Sequence, residues 1–309
     1  MIVPFIVGPT AVGKTRLSAE IAEKLDVEIV NADSRQIYRQ LDIGTSKPPK
    51  ELLRKIPHHL VNFLRPDEES SAGMYSQVAR KVIAQIDKRG RVPLVVGGSG
   101  LYIRALIDGL HTVDVRDDRI RISLRNRILR EGVENLYVEL KQIDPVLADR
   151  IKPADKQRII RGLEVYLSTG KRLSEIQEQG SDPADFEPLM FGLRAEREWL
   201  YEMINNRVLE MFDQGFLAEA ANLKLSGYTR GLNSLNAVGY KEIFIYLENR
   251  ILFDDMIDMI QRNTRNYAKR QMTWFRREKR IQWIDINAST DFSEVAGEII
   301  ARIREKSNA

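Results

Sequence analysis

The sequence predicts an α/β protein: a parallel sheet with helices on both faces, interrupted by an all-helical insertion. Three observations predict it. From Ile2 to His111 short apolar runs alternate with helix-length amphipathic stretches, the pattern of a parallel sheet covered on both sides. Residues 114–186 then carry helical periodicity and no strand pattern. Strand-like runs return from Leu189 onward. These changes divide the chain into 1–113, 114–186 and 187–309, the last ending in basic helical sequence.

Taken in order, Ile2–Val7 (IVPFIV) reads as a buried first strand and Lys14–Leu25 as the helix after it. Val27–Val30 is a second strand, ending in Asn31-Ala32-Asp33-Ser34. His58–Leu64 (HHLVNFL) is a third, Met74–Arg89 a helix, and Val92–Val96 a fourth strand closed by Gly97-Gly98-Ser99-Gly100. The insertion reads as three helical stretches, Asp114–Gly132, Leu136–Ile151 and Asp155–Gln179. The turn-rich run QGSDPADFEP is its return linker. Leu189–Leu193 and Gln282–Ile286 are later strands.

Composition excludes several classes. The 309 residues hold no cysteine, which removes disulfides and thiolate metal sites and fits a cytoplasmic protein. No apolar run is long enough to cross a membrane, and the N-terminus enters a strand directly, without the charged start of a signal peptide. With three histidines in all, His58-His59 reads as a strand-edge pair rather than a zinc site.

Gly8-Pro9-Thr10-Ala11-Val12-Gly13-Lys14-Thr15 fits G-x-x-x-x-G-K-[ST], with a strand before it and a helix after. Backbone N–H groups and a helix N-terminus surround a polyphosphate there. Lys14 adds a point charge, and the Thr15 hydroxyl suits Mg²⁺. The fold expected is therefore P-loop nucleoside-triphosphate-hydrolase-like. An ATPase should also end another strand in an acid. The fourth strand ends in glycines, and the one strand-end acid is Asp33. Asp33 is open to three readings: metal helper, base facing an acceptor, or N-cap of a helix starting near Ser34. The loop thus predicts phosphate without predicting hydrolysis.

Positive charge is clustered although the net charge is only +4. Along Gln261–Arg280, helical spacing puts Arg262, Arg265, Lys269, Arg276 and Arg280 within a stripe of about 60°. Tyr267, Trp274 and Ile281 lie opposite. A second cluster is Arg116, Arg119, Arg121, Arg125, Arg127 and Arg130, and a third is Lys156, Arg158 and Arg161. Three separated basic elements predict a large polyanion such as a nucleic acid.

Seven blocks, GPTAVGKT, NADSRQIYRQLDIGTSKP, PHHL, VPLVVGGSGLYIRAL, RIIRGLEVYLSTGK, NAVGYKE and TRNYAKRQMTWFR, occur in that order between Val3 and Arg277. Together they resemble the bacterial tRNA dimethylallyltransferases, or tRNA isopentenyltransferases. The resemblance implies that the loop, Gly8 to Thr15, holds the diphosphate of dimethylallyl diphosphate with Mg²⁺. The acceptor is then the exocyclic amine of the adenosine 3′ of the anticodon. By resemblance Asp33 is the base, Thr10 bonds near the bridging oxygen, and Arg207 stands beside the diphosphate. Ser34, Arg35, Gln36 and Ser99 match segments that contact tRNA, and Gln157, Arg158, Ile159, Ile160 and Arg161 match the segment that holds the anticodon arm. Arg265, Lys269 and Arg276 would track the stem. The acceptor base must be flipped out of its stack, which is cheapest from a single-stranded loop.

The chain departs from the family pattern at Ser99, where threonine is usual, at Arg35, where methionine or a small residue is common, and at Gly162, where alanine is usual. The last is expected to loosen its helix by ~1 kcal/mol. A monomer is the default expectation. The rival readings are a prenyltransferase acting on free adenine nucleotides, a P-loop small-molecule kinase, and an RNA-binding module switched by ATP. The first needs neither insertion nor basic helix. The second does not account for TRNYAKRQMTWFR. The third wants an acid where the fourth strand has glycine.

Overall fold

The computed structural model describes residues 1–110, 117–178 and 182–308. Arg116, the expected boundary at 113/114 and part of the return linker lie outside them. The chain forms two compact units, one of residues 1–107 and 184–309, the other of 108–183.

The first unit runs β1 (Ile2–Val7), α1 (Lys14–Lys24), β2 (Val27–Asn31), α2 (Lys50–Lys55), β3 (His58–His59), α3 (Ala72–Lys88), β4 (Val92–Gly97) and α4 (Gly100–Asp108). The second unit holds α5 (Asp118–Glu131), α6 (Val133–Ile143), α7 (Pro145–Arg150), α8 (Lys156–Thr169) and α9 (Leu173–Glu178). The chain then completes the first unit with β5 (Glu187–Ala195), α10 (Arg197–Asp213), α11 (Phe216–Leu225), α12 (Tyr240–Tyr246), α13 (Phe253–Phe275), β6 (Ile281–Ile286) and α14 (Phe292–Asn308).

All six strands are parallel, in the order β3-β2-β4-β1-β5-β6. The order reverses at β1, so the carboxyl ends of β1, β2 and β4 meet at a switch point, where open α/β sheets hold ligands. The core beneath includes Ile6, Val12, Leu17, Leu94 and Phe191, all at most 1% exposed. The α14 helix packs on α1 through Phe292, whose ring occupies the space a Cβ at Gly13 would need.

Two expectations are corrected. The third strand is only His58–His59, because Leu60 (φ 61°) and Asn62 (φ 54°) turn the backbone out of the extended region. The three helical stretches of the insertion are five helices. Pro145 starts α7 under an Asp144 cap, and Gly170 ends α8 in the left-handed conformation. Gly162 does more than loosen α8. A Cβ there would meet Leu140 and Leu147 at 2.7 Å, so glycine lets α8 approach α6 and α7 closely.

His59 has the strand-edge place expected of it. Its Nε2 lies 2.6 Å from Oε2 of Glu28, which also accepts from Arg89 Nη2 at 2.6 Å. Arg91 Nη1 donates to Glu28 Oε1 at 3.3 Å. Burial alone would raise the Glu28 carboxyl, but bonds from Arg89, His59 and Arg91 bring it down to about 2. A depressed carboxyl contributes stability above its unfolded value, ~4.3, that is lost as pH falls toward the folded one. Glu28→Gln should therefore destabilise the protein by about 1–3 kcal/mol at pH 7. Melting curves of wild type and variant should converge between pH 4.5 and 2.5.

Candidate functional site

The loop after β1 is shaped by its glycine. Gly13 has φ 98° and precedes α1 directly, a conformation a side chain would strain. Lys14 folds back on this loop, its Nζ donating to the carbonyls of Gly8 at 3.0 Å and Pro9 at 2.6 Å. Burial pulls the Lys14 ammonium down to about 8; the charge of Asp33 opposes this and that of Arg207 adds to it. From α10, Arg207 Nη1 reaches Thr10 Oγ1 at 3.4 Å. Burial lowers Arg207 as well, against the attraction of Asp33 and Glu210. Thr10, Lys14, Asp33 and Arg207 thus share one electrostatic neighbourhood.

Asp33 does not cap a helix. Residues 34–37 form turns. Its Oδ1 accepts from the N–H groups of Arg35 at 2.8 Å and Gln36 at 3.4 Å. Oδ2 carries no hydrogen bond among the described residues. Asn31 steadies the same corner: its Oδ1 accepts from Asp33 N–H at 3.1 Å, and its Nδ2 donates to Leu60 at 3.0 Å. Ser99 ties the end of β4 to this corner, its Oγ accepting from Ser34 N–H at 2.9 Å and donating to Ser34 Oγ at 3.2 Å.

The missing acid on β4 has a steric explanation. A Cβ at Gly97 would lie 2.2 Å from the Ala32 carbonyl oxygen, and one at Gly98 would lie 2.3 Å from Gln271 Nε2. Glycine is what lets β2 and α13 close on this edge. Gln271 was not among the sequence candidates. It is 6% exposed; its Oε1 accepts from Thr10 N–H at 2.9 Å and its Nε2 donates to the Gly98 carbonyl at 2.9 Å. The signal for it was an amide on the apolar stripe of a helix, in line with Met256, Ile260 and Phe275. Tyr267 lies on the same helix, opposite the cationic stripe. Burial and the charge of Asp33 raise its phenol, while Arg35 and Ser99 pull it down.

Other candidates are placed differently from expectation. The Arg35 guanidinium donates to the Asn233 carbonyl, and Gln36 Nε2 donates to the carbonyls of Thr45 and Ser46 at 3.1 and 3.0 Å. The cationic stripe is shorter than expected, because α13 ends at Phe275; Arg276 is its C-cap and Arg280 lies beyond. Arg265 is held by Asn205 Oδ1 at 2.6 Å. Arg262 and Lys269 are exposed.

In the second unit, Gln157 and Arg158 are exposed in the first turn of α8, and Arg158 bonds Asp155 at 3.1 Å. Ile159 is fully buried and Ile160 packs beside it, so their side chains serve that unit's core. Arg121 and Arg161 both bond the fully buried Glu164, at 2.6 and 2.9 Å. Arg127 bonds Glu131 and Glu139, while Arg119, Arg125 and Arg130 are exposed.

A loop of phosphate-binding pattern at a sheet switch point, with two half-buried cations that feel the charge of one carboxylate, fits a P-loop-like α/β protein. The comparisons narrow this class. The family model described as IPP transferase matches residues 36–278, and one described as isopentenyl transferase matches 1–69. A tRNA dimethylallyltransferase of Geobacter sulfurreducens is 45% identical over 93% of this chain and 92% of its own. One of Bacillus cereus is 40% identical over 99% and 96%. A tRNA isopentenylpyrophosphate transferase from Bacillus halodurans superposes with a TM-score of 0.72 at 37% identity, covering 99% of this chain and 98% of its own. A eukaryotic dimethylallyltransferase acting on tRNA superposes at 0.81 with 29% identity, covering 99% and 78%. The chain belongs to the IPP transferase family.

The lowered Lys14 sets a proton-linked test. At pH 8.5 the ammonium at about 8 is largely neutral, and a bound diphosphate must raise it. Binding should therefore take up a larger fraction of a proton at pH 8.5 than at pH 7.5, where Lys14 is already mostly charged and the diphosphate is still largely ionised. Titration calorimetry in buffers of differing ionisation enthalpy measures this.

Proposed function

We propose that this protein transfers a dimethylallyl group from dimethylallyl diphosphate to the exocyclic amine of the adenosine 3′ of the anticodon in tRNA, releasing diphosphate. The observation that carries the reading is the convergence of the phosphate loop, Arg207 and Asp33 on one sheet edge, in a chain of this family. In the reaction the amine nitrogen forms a bond to the allylic carbon, and the carbon–oxygen bond breaks with its electrons leaving on the diphosphate. Loop N–H groups, Lys14 and Arg207 stabilise charge where it develops. Asp33 takes the amine proton through Oδ2, and Thr10 bonds the bridging oxygen. The amine is a weak nucleophile, its lone pair spread into the ring, so a base is needed as the bond forms.

The described residues offer no group of three acids or histidines to cage a metal. The Thr15 hydroxyl makes no hydrogen bond among them, and it would be the protein's ligand to Mg²⁺, with diphosphate and water completing the shell. Bound there, the ion supplies charge neutralisation on the diphosphate. No helix among the described residues is long and apolar enough to cross a membrane, and we assign the reaction to the cytoplasm and to a monomer.

Labelled dimethylallyl diphosphate, offered with unmodified tRNA and with AMP in parallel, tests the reading. Label is expected in tRNA alone; label in AMP, or in neither with ATP consumed instead, overturns it. Asp33→Ala should slow transfer by ~10²–10⁴ while tRNA binding persists. Arg262 and Lys269 are the exposed cations of the basic stripe on α13. Replacing both by alanine should weaken tRNA binding and reduce its salt slope by about 1.5, leaving donor binding intact. An unchanged slope would reduce the stripe to a solvated face.

A further inference from the structure

The two halves of the site are joined by one side chain. On the donor side, Gln271 Oε1 accepts from the N–H of Thr10, the residue whose hydroxyl meets Arg207. On the acceptor side, Gln271 Nε2 donates to the carbonyl of Gly98. The next residue, Ser99, holds the N–H of Ser34, which follows Asp33. The orientation of the amide is determined by its partners. Thr10 N–H can only donate and the Gly98 carbonyl can only accept, so only one of the two amide flips satisfies both. Asparagine would be one methylene short. Gly98 is required as well, since a Cβ there would displace Nε2.

The bond to Thr10 has a second consequence. The Thr10 N–H is spent on Gln271, so the donors left to face a diphosphate are those further along the loop. Thr10 therefore presents its hydroxyl rather than its amide, with its backbone orientation set from α13.

We propose that Gln271 is a positioning residue that fixes the spacing between the diphosphate loop and the Asp33 corner. The proposal rests on the transferase reading above. Gln271 touches neither substrate. It acts through Thr10 on one side and through Gly98, Ser99 and Ser34 on the other. Misplacement by about 1 Å of groups that must meet in a transition state costs up to ~10²-fold in rate.

The test compares wild type, Gln271→Met and Gln271→Glu in single-turnover transfer of labelled dimethylallyl to tRNA, with melting temperatures in parallel. Methionine keeps the length and volume of the side chain and loses both hydrogen bonds. It should lower the saturated transfer rate about 10–100-fold and change KM for either substrate less than about 3-fold. Glutamate, ionised, keeps the acceptor for Thr10 but repels the Gly98 carbonyl. Protonated, it reproduces both bonds. The rate of Gln271→Glu relative to Gln271→Met should therefore rise as pH is lowered from 8 to 6. The proposal is overturned by a Gln271→Met enzyme that melts lower yet transfers at the wild-type rate when kept folded. It is equally overturned by a Glu-to-Met ratio independent of pH, or by losses confined to KM. Wild type that fails to label tRNA would instead overturn the transferase reading, and this proposal with it.

Discussion

The catalytic edge depends on a close approach of backbone. At the end of β4, Gly97 and Gly98 carry no side chain, and the space is taken by the Ala32 carbonyl and the Gln271 amide. Any Cβ at either place would push β2 or α13 outward, and the Asp33 corner and the phosphate loop would move with them. The strand end that an ATPase would use for an acid is used here for contact. In the proposed reaction, substrate-facing chemistry therefore falls to the residue beyond the end of β2, Asp33, and to Arg207 on α10. The site is assembled from four elements because the strand beside the loop has none to offer.

That arrangement stores electrostatic tension. Lys14 and Arg207 are both lowered by burial, and each is drawn toward the same carboxylate, Asp33. Lys14 donates to two loop carbonyls. Two half-buried cations sharing Asp33, with Glu210 acting on Arg207 alone, favour an incoming polyanion, since added negative charge relieves cation repulsion as well as satisfying desolvated donors.

Much of the fold was legible because apolar runs mark parallel strands buried on both faces; β1, β2, β4 and β5 follow such runs, while the edge strand β6 mixes apolar and polar residues. The His58–Leu64 run misled, because hydrophobicity does not report the positive φ of Leu60 and Asn62. The phosphate loop was legible since its chemistry lies in backbone, and glycine spacing encodes backbone. Cation counts were less informative. Arg121 and Arg161 are spent on one buried acid, Glu164; the Arg161 pair has helical i,i+3 spacing, but Arg121 lies 43 residues away, invisible to local pattern. Helical spacing also cannot tell where a helix stops, and the stripe on α13 lost Arg276 and Arg280 to its end at Phe275. Gln271 escaped because one amide in an apolar stripe looks like noise unless its partners, 261 and 173 residues away, are known.

The presence of an amide at 271 is itself informative. Two intramolecular hydrogen bonds contribute about 0.5–1.5 kcal/mol each net of the water they replace. An apolar side chain of similar size would contribute about 1.5–3 kcal/mol by burial at the same place. The two figures are similar, and the amide in addition keeps the Thr10 N–H and the Gly98 carbonyl paired, which leucine or methionine would leave unsatisfied at about 1–3 kcal/mol each. What the amide provides, and an apolar group does not, is direction: one donor and one acceptor at fixed separation. The opposite face of the same helix carries exposed Arg262 and Lys269. A single helix therefore carries both the cations proposed for tRNA and the amide proposed to space the loops.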